Sequence, residues 1–239
     1  MQKERYDWII AALVALVLAA AAQATPSGPT VTSNTTYNAS LTSALMINTS
    51  GGSFTEMVLN ASSQNFRWKA YVGNVTGTLT LQDPTNYSIY NWNLSTVSGE
   101  VYVTRNSSVN WGNINCTNDT IITAEQTALN ITSSRPDSIN GTFFNTIHRS
   151  IYVGQVQVRN SSCRSIVTYA NGTSQVQTEN APFQEVLLMD RTNLVYVTPL
   201  EGRIQGFNFR RYDFQIIVPD YGTDQISGSV GYYFYVELS

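Results

Sequence analysis

The chain has 239 residues, with 13 Lys/Arg against 16 Asp/Glu, a formal net charge of −3 and one histidine. Such mild acidity excludes the basic stripe that nucleic-acid binding needs, and one histidine with two cysteines is too few for a zinc centre of several His or Cys ligands. Charged residues make up 12% of the chain, about half the usual share, whereas Asn, Ser and Thr fill 22 + 24 + 27 = 73 positions.

Residues 1–24 read as an export signal. Lys3 and Arg5 precede an unbroken apolar run over residues 8–22, and Ala22-Gln23-Ala24 offers small residues to a signal peptidase. The alternative is a retained membrane anchor, so membrane contact is expected only through residues 8–24, and only if they stay uncleaved. That run is short for a membrane span, and Pro26 and Pro29 stop a helix from continuing. Residues 25–50 form a Thr/Ser/Asn-rich arm, extended at first and with a short possible strand over residues 41–47.

From residue 54 onward the apolar period is two. Residues 66–72 alternate, Gly73-Asn74 suggests a hairpin turn, and residues 75–81 alternate again. Asp83-Pro84-Thr85-Asn86 is a turn, followed by strands at 87–94 and 100–104. Residues 105–149 are less regular and hold one short helix over 123–129. Strands resume at 151–158, 165–169, 183–189, 194–198, 212–218 and 231–238. In the last, Tyr232, Phe234, Val236 and Leu238 face one side and Tyr233, Tyr235 and Glu237 the other. The fold class is all-β: a single antiparallel β-sandwich of immunoglobulin or jelly-roll type over residues 51–239, with a short helix in the 105–149 insertion.

Fourteen Asn-x-Ser/Thr sequons begin at Asn34, Asn38, Asn48, Asn60, Asn74, Asn86, Asn93, Asn106, Asn115, Asn118, Asn130, Asn140, Asn160 and Asn171. Chance placement gives about five. A used acceptor must meet a glycosyltransferase in an exported chain, so each marks a surface. Residues 174–239 carry none, which suits central strands or, alternatively, a sugar-free contact face. Cys116 and Cys163 fit a disulfide in an oxidising compartment.

The chain carries little that suggests catalysis, and no catalytic, metal or cofactor-binding residue is assigned; N-linked glycans are the only expected additions. His148 lacks the nucleophile and orienting partner of a hydrolase and reads as structural. Glu185, inside an apolar run, is the oddest carboxylate; Asp190, Asp213 and Asp220 sit beside turns or in strands. An exported glycosidase needs only two facing carboxyls. Trp68, Trp92 and Trp111 could stack on sugars, although such residues more often fill cores.

The string W-K-A-Y-V-G-N-V-T-G from Trp68 to Gly77, with Gly99-Glu100-Val101-Tyr102, Val109-Asn110-Trp111, Cys116, Phe183-Gln184-Glu185-Val186-Leu187-Leu188, Asp213-Phe214-Gln215 and the closing Tyr232-Tyr233-Phe234-Tyr235-Val236-Glu237-Leu238, resembles exported, sequon-rich archaeal cell-surface β proteins. The resemblance implies filament subunits in which an N-terminal arm completes a neighbour's sheet. The expectation is therefore a secreted structural glycoprotein that self-associates into a homopolymer, as a filament, pilus or coat. A monomeric carbohydrate-binding or adhesion module is the alternative.

Overall fold

The structure is a computed structural model that describes residues 25–39, 46, 51–52, 54–94, 96–221 and 230–239. The expected signal, residues 1–24, and all of the 41–47 stretch except the exposed Met46 lie outside the described residues.

The fold is all-β with antiparallel pairing. Its centre is a six-stranded sheet ordered β14 (Tyr233–Leu238), β4 (Gly99–Thr104), β10 (Leu194–Pro199), β9 (Gln184–Met189), β5 (Asn115–Cys116), with β8 (Ser165–Val167) also on β9. β9 and β10 are buried almost throughout, as their near-continuous apolar runs require. They lie in the sequon-free part of the chain, which also contributes β14 at the edge of the sheet.

Both faces of this sheet are covered. Val101, Val103, Leu187 and Tyr196 point to one side, where they meet Ile216 and Val218, together with Ile122, Ile139 and Phe143. Ile216 and Val218 belong to β13 (Phe214–Pro219), which forms a ribbon with β1 (Trp68–Gly73). Ile122 lies on helix α1 (Asp119–Ala128) and Ile139 on the short helix α2 (Ile139–Thr142). Tyr102, Val186, Leu188, Val195 and Val197 point the other way, onto Ile151, Val153 and Val158. Those three belong to the hairpin of β6 (Ile151–Val153) and β7 (Val156–Val158). Alternate residues of one strand thus feed two separate cores.

Three expected elements differ. No hairpin forms at Gly73-Asn74: β1 pairs with β13, and the Val75 N–H is taken by the Asp213 carboxylate at 2.9 Å. The expected strand 151–158 folds back at Gly154-Gln155 into β6 and β7. The helix begins at Asp119, not 123, because Asn118 caps it by accepting the Ile121 N–H.

Short elements finish the chain. β2 (Thr78–Gln82) pairs with β3 (Ser88–Asn93), and β11 (Ile204–Gln205) with β12 (Arg211–Tyr212). Cys116 and Cys163 are disulfide-bonded. Cys116 ends β5 and Cys163 sits just before β8, so the bond staples together the two short strands that share the outer edge of β9.

Candidate assembly surface

Of the fourteen acceptor asparagines, all but Asn48 are described. Eleven are exposed, and Asn106 and Asn140 are half-buried. None is in a core. Asn118 combines two roles: its Oδ1 caps α1, which leaves the amide nitrogen, the atom a glycan would modify, free of that bond.

The outer edge of β14 is the main open edge of the central sheet. β4 lines its inner side through residues 99–104. On the outer side, the Ser27 N–H donates to the Val236 carbonyl (3.1 Å) and the Val236 N–H donates back to Ser27 (2.8 Å). Pro26 beside it is buried. This is an isolated bridge. Phe234 and Leu238 share the parity of Val236, so their backbone groups face the same edge, and among the described residues no strand pairs there. Gly99 sets the start of β4 against β14: its φ is +126°, and a Cβ there would collide with the Glu237 carbonyl.

A second unpartnered surface lies on the β2–β3 hairpin. Leu79 stands opposite Trp92 and Leu81 opposite Tyr90, so four apolar side chains share one face. All four are exposed. The Tyr90 and Trp92 rings meet edge to face at 4.9 Å. Asn93 lies on the other face, and Asn86 sits in the connecting turn, where the Asp83 carboxylate accepts the Thr85 and Tyr87 N–H groups at 2.9 Å. Of the three tryptophans considered for sugar stacking, Trp92 alone is in the open. Trp68 packs against Phe143, and Trp111 lies between Tyr102 and Tyr235.

Further exposed apolar residues precede β1. Phe54, Val58 and Leu59 stand in an extended stretch without strand partners among the described residues.

The polar residues considered for chemistry are used in structural bonds. His148 is fully buried. Its Nε2 accepts the Ser162 (3.1 Å) and Cys163 (2.9 Å) N–H groups, and its Nδ1 lies 2.7 Å from the Arg149 carbonyl. Burial lowers its pKa, against the opposing pull of that carbonyl and Glu179. Asp190 closes its own turn by accepting from Thr192, Asn193 and Asn110; these bonds, Asn193 foremost, outweigh burial and lower its pKa. Glu185 is buried in the core, where its Oε2 accepts the Ile217 N–H and its Oε1 has no partner. Burial pushes its pKa well above the ordinary carboxylate value.

One acidic pair was missed by sequence reading. Glu100 and Glu237 stand directly opposite each other on β4 and β14. The strand-parity reading had set Glu237 apart from the apolar face, but cross-strand register is invisible without the partner. Among the described residues, no group of three or more His, Cys, Asp or Glu could hold a metal ion, and no helix is long and apolar enough to cross a membrane.

Comparison of the chain with protein-family models, with curated proteins and with solved structures gives no match.

Proposed function

We propose that this chain is a secreted, N-glycosylated structural protein of the cell surface, and that it self-associates by strand addition along β14. The observation that carries this reading is the outer edge of β14. Val236 already exchanges both of its outward hydrogen bonds with Ser27, and the groups of Phe234 and Leu238 continue the same edge. An added strand satisfies such groups at little steric cost. The N-terminal arm of a second copy is the occupant, and a head-to-tail contact that does not close on itself makes a fibre.

The glycan part of the reading rests on the acceptor asparagines, none of which is buried among those described. Sugars there would solvate a surface poor in charge. The placement of Asn86 and Asn93 on the tip and polar face of the β2–β3 hairpin leaves its Leu79/Trp92 face bare.

That bare face favours a second reading, a carbohydrate-binding or adhesion module using Tyr90 and Trp92. Aromatic faces with an apolar surround suit pyranose stacking. Negative-stain microscopy and glycopeptide mass spectrometry of protein exported from a glycosylating host test the two together. Glycosylated polymers support strand addition. A glycosylated monomer that loses glycan-array binding on Trp92→Ala supports the module instead.

A further inference from the structure

We infer that Glu100 and Glu237 form a proton-operated latch that fastens β14 to the central sheet. The two carboxyl-bearing residues are direct cross-strand partners on β4 and β14, on the face covered by the β6–β7 hairpin. Glu237 is 7% exposed. Like charges placed directly opposite on neighbouring strands repel, and the half-buried Glu100 faces a Glu237 that water hardly reaches.

The surroundings supply hydrogen-bond donors but no dedicated cation. The Gly154 N–H, at the turn of the β6–β7 hairpin, donates to Glu237 Oε1 (2.9 Å) and Oε2 (3.0 Å). The Tyr102 hydroxyl donates to Glu237 Oε2 at 2.9 Å; it also lies 3.1 Å from the Tyr152 carbonyl. The Tyr152 hydroxyl accepts from Gln157. Arg149 is the nearby cation, but it is ion-paired with Glu201. This cradle serves one carboxylate well. Two carboxylates in it lack compensation, so one proton belongs with the pair.

Burial, then Glu237, push Glu100 up to about 7, against the opposing effects of the Tyr152 N–H and Arg149. The pKa is raised in the folded state. The stabilisation is therefore complete below the unfolded value near 4.5 and is lost as pH rises through about 7. With the latch charged on both sides, β14 is repelled from β4 where Glu237 faces Glu100. β14 should open locally while β9 and β10 stay closed. The latch stands whether or not the chain assembles, because its readout is the strand's own protection.

The test is amide hydrogen exchange of the whole chain between about pH 5 and about pH 8.5, corrected for intrinsic rates. The expected result is a fall in protection across β14 relative to β9 and β10 as pH rises, by up to roughly 75-fold over this range, because pH 5 already lies above the unfolded value of 4.5 and the folded value is about 7. Glu100→Gln should flatten that dependence. Protection of β14 that is independent of pH in the wild type, or a dependence that survives Glu100→Gln, overturns the latch. Should the variant not fold, carboxyl carbon NMR of the wild type decides. An assigned Glu100 carboxyl that titrates near neutrality supports the latch, and an ordinary carboxylate midpoint for Glu100 contradicts it.

Discussion

The buried carboxyl of Glu185 accepts the Ile217 amide at 2.9 Å and so joins β9 of the central sheet to β13 of the covering ribbon. The bond crosses from one layer to the next inside the core. With Oε1 unpartnered and the pKa well raised, the neutral acid is the form that fits. The stabilisation is complete at pH below the ordinary carboxylate range and declines as pH rises toward the folded-state pKa. Glu185→Gln keeps the acceptor and the volume while removing the proton. It should match the wild type in acid and exceed it in alkaline urea denaturation. Glu185→Ala strands the Ile217 N–H and leaves a cavity, and should cost about 3 kcal/mol. Equal pH profiles for wild type and Glu185→Gln would show that the carboxyl is ionised.

The Cys116–Cys163 bond closes a separation of 47 residues around α1 and the β6–β7 hairpin. Its removal by Cys116→Ala with Cys163→Ala should lower stability by roughly 4 kcal/mol, read from urea denaturation with the m-value fitted for each protein, because the uncrosslinked unfolded chain exposes more surface. A change below about 1 kcal/mol would mean that β5 and β8 hold their places on β9 unaided.

Asn118 allows cap and sugar to be separated. Asn118→Ala removes both and, in unglycosylated protein, should cost about 1 kcal/mol through loss of the Ile121 bond. Thr120→Ala destroys the sequon and leaves Oδ1 in place, so it should stay within about 0.5 kcal/mol of wild type. Equal losses would place the cost in the helix surface and not in the cap.

His148 is the chain's one histidine, so its ring signal is unambiguous in NMR. Nε2 must stay unprotonated to accept the Ser162 and Cys163 amides. The folded pKa is depressed below 6.5, so this part of stability is present above that value and lost as pH falls through the folded one. The ring should titrate below 6.5, and an ordinary midpoint would contradict the bonding pattern.

Much of the fold is legible in residue order. Apolar runs such as 186–189 and 194–197 mark strands buried on both faces, and alternation in 232–238 separates Phe234 and Val236 from Tyr235 and Glu237, as observed. Sequons fall where backbone is exposed because an acceptor Asn is small, polar and at home in turns. What is not legible is long-range pairing. Gly73-Asn74 has local turn chemistry, yet Asp213, distant in sequence, claims the next amide. Gly154 ends β6 with a turn that periodicity alone cannot distinguish from a strand of eight residues. The Glu100–Glu237 opposition and the Ser27 bridge depend on register between segments more than a hundred residues apart, and no local spacing encodes them.

Sedimentation velocity of the exported glycoprotein, wild type against Val236→Pro, tests self-association along β14 most directly. The proline removes the one outward N–H that bridges to Ser27 and blocks a donated strand, while proline with its missing N–H on an open edge is tolerated by the sheet itself. The account predicts large, concentration-dependent species for the wild type and a folded monomer for Val236→Pro. A wild type that sediments as a monomer at every concentration, or a proline variant that polymerises as well as the wild type, would contradict it.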